Sequence, residues 1–189
     1  MTTHKYTERR TTDETTHHHH TPRHQHIHSQ PILADKLNQH TDQLDIHELY
    51  TTYPDANIDI DYEQKLLMEH DYIIFQFPFY WYSYPPLLKQ YFDQVFTYGW
   101  AYGSEGNALK GKTFAAAVSV GAQAAQYAED GPLGYTFETL ISPFISTARF
   151  VGAQFGGYHT LYGALNPSQE TLEENAQQYL HFIQSLKSQ

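Results

Sequence analysis

Two short segments carry residue types that could do chemistry. The first is "QFPFYWYS", Gln76 to Ser83, where Pro78 ends an apolar run and Phe79, Tyr80, Trp81 and Tyr82 follow in a row. Four consecutive aromatics cannot all face one core, so some of them meet a ligand, a partner or water. The reading taken here is ligand plus partner. The second is "SVGAQAAQY", Ser119 to Tyr127. Small residues after a strand let the backbone approach a ligand closely and offer N–H donors. No catalytic triad or carboxylate pair accompanies them, and His70 and His159 stand alone and read as structural. Chemistry without catalytic side chains of that kind points to a cofactor that carries the reaction itself. Tyr127 is then the polar group expected beside a redox centre.

A third segment, "TTHHHHTPRHQHIHSQ" from Thr15 to Gln30, packs seven histidines into sixteen residues. Imidazoles bind zinc, copper or nickel. A flexible polar run lacks the surrounding groups that fix such ligands, however, so no specific metal site is assigned. Four internal histidines also differ from a terminal purification tag of six.

The elements that must position these segments can be read from periodicity. Ile32, Leu33, Lys36 and Leu37 give a short helical face, and "QLDIHELY" alternates as a strand does. "YPDANIDI" is turn-rich, and "DYEQKLLMEH" reads as a short helix. Tyr72 to Phe77 reads as a buried strand. Leu87, Leu88, Tyr91, Phe92, Val95 and Phe96 form an apolar stripe after an opening Pro-Pro. "KTFAAAVSVGAQ" is a second buried strand and Phe137 to Phe150 a helix. "AQFGGYHTLYGA" is a last strand, and a closing helix follows with Ser168 or Thr171 as cap. Alternating elements with continuously apolar strands predict an α/β fold, a doubly wound parallel sheet with helices on both faces. In open sheets of this kind ligands bind outside the carboxyl ends of the strands, where the first two segments fall. One part is missing: the helix near Pro31 has no strand before it.

Composition sets the outer limits. The 189 residues suit one domain with a real core, and 16 Tyr and 11 Phe suggest surfaces apolar in body and polar at the rim. A formal net charge of -10 argues against nucleic-acid binding. No apolar run approaches a membrane span or a signal-peptide core, and there is no cysteine, so a cytoplasmic location is expected.

The blocks "LYTTYPDANIDIDYEQ", "FQFPFYWYSYPPLLKQYFDQVFTYGWAYGSEGNALKGK" and "AVSVGAQAAQY" resemble the flavodoxin-like NAD(P)H:quinone oxidoreductases. The bacterial general-stress and Kef-ancillary type is nearer, and the animal DT-diaphorases are more distant. The resemblance runs from about Gln30 to the C-terminus. It implies a flavodoxin-like homodimer that binds FMN, or FAD as some members do, with FMN favoured by the shorter bacterial members. Such proteins take hydride from NAD(P)H and pass two electrons to a quinone in a ping-pong cycle. It also implies an alternative role as regulatory flavoprotein of a Kef-type potassium efflux system, at the membrane surface.

By the same resemblance Phe79, Tyr80, Trp81 and Tyr82 match the loop along the flavin ring, with Trp81 against the ring and the Tyr82 N–H near N5 and O4. Ser119, Val120, Gly121 and Ala122 match a loop usually read Thr-Thr-Gly-Gly. Tyr127 matches a tyrosine beside flavin O2, and with Trp81 it is the expected catalytic group. The histidine that accompanies this tyrosine in the animal enzymes has no match in "EDGPLGYT". The phosphate loop, His-Pro-…-Ser-x-x-Asn after an apolar strand, falls on "TPRHQHIHSQ". There Pro22 matches, Thr21 replaces the histidine, and His26 and Ser29 (or Gln30) lie near the Ser and Asn positions.

Nothing in the translated sequence matches the strand. A reading frame shifted forward by one nucleotide over Asp13 to Pro22 admits Met-Lys-Leu-Leu-Ile-Ile-Ile-Ile-His-Pro, an apolar strand ending in His-Pro. Glu8-Arg9-Arg10 admits a ribosome-binding purine run before it. Residues 1–21 are accordingly expected to be an aberrant or disordered segment. Residues 22–189 would form the flavin-binding domain, its first strand disrupted and its phosphate binding weakened.

Overall fold

The computed structural model describes residues 4–9, by their backbone, and residues 44–187. The histidine run, the helix expected from Ile32, and the candidate contacts His26 and Ser29 lie outside the described residues.

Strand β1 is His4–Arg9 and β2 is Asp45–Glu48. The alternating "QLDIHELY" stops being a strand at Leu49, where the chain turns into a single helical turn, α1, Leu49–Thr52. Thr51 and Thr52 hold that turn by donating their hydroxyls to the Glu48 carboxylate and carbonyl at 2.8 and 2.9 Å. Helix α2, Ile60–Met68, is started by Asp59, whose carboxylate accepts the Tyr62 N–H at 3.0 Å, with Asp61 and Glu63 in the electropositive first turn. Strand β3, His70–Pro78, is followed by α3, Pro86–Val95, which opens on a proline as expected.

Strand β4 is Thr113–Val120 and a 3-10 turn covers Ala124–Tyr127. Helix α4, Phe137–Phe150, has the bounds read from the sequence and is capped by Thr136. Strand β5 is Gln154–Tyr162, and α5, Gln169–Leu186, is capped by Ser168, which accepts the Thr171 N–H at 3.1 Å. Of the two candidate caps, Ser168 does the capping and Thr171 donates to it.

The five strands form one sheet in the order β2-β1-β3-β4-β5. Strands β3, β4 and β5 run parallel. Strand β1 is antiparallel to both neighbours, so β2 points the same way as β3. The doubly wound parallel arrangement therefore holds for four strands, and the disruption of the first appears as a reversed segment in an interior position. His4–Arg9 comes from the stretch expected to lie outside the fold. Backbone pairing explains its place, because an unpaired row of N–H and C=O groups along β2 and β3 would be costly.

Helices α1 to α4 cover one face of the sheet. Its core is aromatic: Phe75 meets Phe92, Phe114 and Phe144 with ring centroids 5.2, 5.3 and 5.6 Å apart. Helix α5 covers the other face over Ile74, Ala115, Ala117 and Leu161. A buried carboxylate fastens β2 to this frame. Glu63, fully buried on α2, receives the His47 ring at 2.6 Å and the Tyr53 hydroxyl at 2.8 Å. His70, read as structural, joins the Leu66 carbonyl and the Asp45 carboxylate at 2.7 and 2.8 Å.

Candidate functional site

The two chemistry-bearing segments meet at the carboxyl edge of β3 and β4. Pro78 pairs with Ser119, and the Phe79 N–H donates to the Ser119 carbonyl at 2.9 Å. The chain then doubles back. Tyr80 and Ser83 exchange both backbone hydrogen bonds at 3.1 and 2.9 Å, closing a two-residue turn. Its central residues, Trp81 and Tyr82, have φ of 47° and 63°. A turn with both central residues at positive φ normally takes Asn-Gly or Gly-Gly. Holding two bulky aromatics there costs about 1 kcal/mol or more each, and strain of this kind concentrates at functional sites. The turn leaves Trp81 93% exposed and Tyr82 47% exposed.

Phe79 lies behind the turn, half-buried, with its ring 5.1 Å from Phe137 at the start of α4. Tyr127 is brought to the same place by the 3-10 turn and packs on Phe137 and Tyr162 at 5.9 and 5.7 Å. Burial, with a smaller contribution from Tyr82 and Tyr162, raises the Tyr127 pKa above the usual phenol value. Tyr127 is therefore a neutral O–H donor at physiological pH. Tyr80 is raised by burial and by neighbouring Tyr50. Beside Tyr127 the β4 loop is tied down from the far side, Gly163 N–H donating to Ala122 O and Ala164 N–H to Val120 O, both at 2.9 Å. The N–H groups of Tyr82 and Ala122 have no partner among the described residues. Free donors, a flat exposed indole and a neutral phenol together suit a planar, hydrogen-bonding ring system.

Phe79, Tyr80, Trp81, Tyr82, Gly121, Ala122 and Tyr127 thus share one edge. Ser119 and Val120 contribute differently. The Val120 side chain is buried in the aromatic core, where a threonine hydroxyl would need a partner. Ser119 turns its hydroxyl to the opposite face, into a small cleft under α5. Gln76, His159, Asn175 and Tyr179 also line that cleft. His159 is bonded to Asn175 at 3.0 Å and stacked on Tyr179 at 5.0 Å, which supports its structural reading. The sequence did not identify Phe137, Tyr158 and Tyr162 as part of the site. Tyr158 sits 5.1 Å from Phe137. These residues come from α4 and β5, and only the parallel register of β5 on β4 brings them in.

Residues 16–183 match the family described as having a flavodoxin-like fold. The chain is 42% identical over 151 residues to an uncharacterized NAD(P)H oxidoreductase, YrkL, of Bacillus subtilis, covering 80% of this chain and 86% of that one. It is 38% identical over 164 residues to the glutathione-regulated potassium-efflux system ancillary protein KefG of Yersinia pestis, covering 85% and 90%. The crystal structure of general stress protein 14 from Treponema denticola, in complex with FMN, superimposes with a TM-score of 0.76 at 41% identity, covering 85% and 90%. The chain belongs to the flavodoxin-like fold family.

Proposed function

We propose that this protein is an FMN-dependent NAD(P)H:quinone oxidoreductase. The observation that carries the reading is the meeting of the strained Tyr80–Ser83 turn, the Ser119–Ala122 loop and neutral Tyr127 at one strand edge. An FMN complex of a protein 41% identical and an NAD(P)H oxidoreductase 42% identical support the cofactor and the donor. Bound FMN supplies a two-electron carrier between nicotinamide and acceptor. The net reaction is NAD(P)H plus one proton reducing a quinone to a hydroquinone, in ping-pong order. Trp81 and Phe79 flank the ring, and the Tyr82 and Ala122 N–H groups hold its polar edge. Tyr127, a neutral phenol at this edge, would offer its O–H as a hydrogen-bond donor to the bound ring. His26 and Ser29 remain the candidate phosphate contacts.

The chain acts in the cytoplasm as a homodimer. Tyr98 and Phe150, each 71% exposed, lie either side of Tyr102 at 5.8 and 5.4 Å and offer an aromatic interface patch. A second reading, favoured by the 38% identity to KefG, is a regulatory flavoprotein bound to a potassium transporter. Among the described residues no helix is long and apolar enough to cross a membrane, so that association would be peripheral. Steady-state NAD(P)H oxidation with and without a quinone tests the first reading. Quinone-stimulated, FMN-dependent turnover supports it. A flavin-bound protein without such turnover, which co-purifies with a transporter whose activity falls on deletion, supports the second.

A further inference from the structure

Strands β4 and β5 stay tied together beyond their last residues. The ladder ends with Val120 opposite Tyr162, yet Ala164 N–H still donates to Val120 O and Gly163 N–H to Ala122 O, both at 2.9 Å. The turn after β5 therefore grips the backbone of the Ser119–Ala122 loop. Side chains repeat the grip in both directions. Leu165 lies over Gly121, where a Cβ would come 3.1 Å from Leu165 Cγ. Gln123 reaches back over Gly163, where a Cβ would come 2.5 Å from the Gln123 amide nitrogen.

Position 163 needs glycine for two separate reasons. Its φ is 66°, in the region that glycine adopts freely. That alone would also admit asparagine. The second reason admits no side chain at all: the Gln123 amide fills the space that a Cβ would take.

Gln123 is also where this latch meets the site. It follows Ala122, whose N–H has no partner among the described residues. It precedes the 3-10 turn Ala124–Tyr127, and the Gln123 carbonyl accepts the Gln126 N–H of that turn at 3.0 Å. The turn sets Tyr127 against Phe137 and Tyr162. Gln123 thus stands between the two donors of the loop, the Ala122 N–H and the Tyr127 O–H.

We propose that Gln123 is a positioning residue: folded over Gly163, it fixes the Ala122 N–H and the Tyr127 O–H at the separation one bound ring requires. The proposal rests on the reading of this edge as a flavin site. Donors held in place before the ring arrives need no ordering on binding, so a loosened latch weakens the complex.

A double-mutant cycle on the full chain tests this, with Gly163→Ala, Gln123→Ala and the two combined. FMN affinity is read by fluorescence titration. Hydrogen exchange of the amides at positions 163 and 164 is followed in the flavin-free proteins. Gly163→Ala should push the amide off and weaken FMN binding about tenfold, with a similar loss of protection. Gln123→Ala should weaken binding about threefold. The combined variant should recover to the Gln123→Ala level in both readouts, because the added methyl then meets no amide. The backbone strain of alanine persists in that variant, so a loss caused by strain alone would not recover. No recovery in affinity or protection would overturn the proposal, as would parent-like FMN affinity in Gln123→Ala. A parent chain that binds no FMN would overturn the flavin reading instead, and the exchange cycle alone would then decide the latch.

Discussion

Tyr127 and Trp81 do opposite things at the same edge, and their variants separate the two roles. Burial keeps Tyr127 protonated, so Tyr127→Phe removes a hydrogen-bond donor without changing the shape of its contact with Phe137. Turnover should fall about tenfold to a hundredfold, with FMN affinity little changed; stopped-flow reduction by NAD(P)H checks this, and an unchanged rate would remove Tyr127 from the chemistry. Trp81 holds a backbone conformation that glycine adopts freely. Trp81→Gly should therefore stabilise the free protein by about 1 kcal/mol. It should also weaken FMN binding by about three- to tenfold through loss of ring contact. Urea denaturation and a flavin titration on one preparation read both effects. The aromatic run and the glycine-containing loop were legible in the sequence because they break the pattern of the strands they end. The positive φ of Trp81 and Tyr82 was not, since no residue type there announces it. The direction of the Ser119 hydroxyl depends on strand parity, which the sequence leaves open until the strand's exact bounds are known.

The elements after residue 44 were largely legible because each carries its own start signal. Asp59, Pro86, Thr136 and Ser168 open α2, α3, α4 and α5, and the apolar stripe from Leu87 to Val95 is the buried face of α3. The short piece at Leu49 escaped, because its turn follows from local bonds to Glu48 and not from periodicity. The tie between β2 and α2 was equally hidden, since Glu63 reads as a solvent-facing residue of an amphipathic helix. It is fully buried between His47 and Tyr53. Removing it strands two polar groups, so Glu63→Ala should cost about 3 kcal/mol. Glu63→Gln, which keeps an acceptor, should cost less. The urea midpoints of the two variants decide this; equal losses would mean that the charge of the carboxylate, and not a neutral acceptor of the same shape, holds His47 and Tyr53.

At the scale of the molecule, the described residues include buried phenols and a buried imidazole that make stability depend on pH. Tyr53, Tyr84 and Tyr91 are all raised above their ordinary value, chiefly by burial. The unfolded chain loses these protons near pH 10 while the folded chain keeps them, so their contribution is full below pH 10 and is lost as the pH rises further. His159 is depressed by burial, partly offset by Asn175. Its contribution is present above pH 6.5 and is lost as the pH falls below it, because the unfolded state takes up the proton first. Melting temperatures from pH 5 to pH 11 should thus fall at both ends, and His159→Gln should flatten the acidic side alone.

The reversed β1 is the part of the fold that could not be read, because its polar sequence contains no signal for an interior strand. All of these scales meet in one claim, that the carboxyl edge of β3 and β4 is a flavin site. A fluorescence titration of FMN with the purified chain tests it most directly. Saturable quenching at one FMN per chain, weakened by Trp81→Gly, is the predicted result. The absence of saturable binding, or binding indifferent to Trp81, would contradict the account.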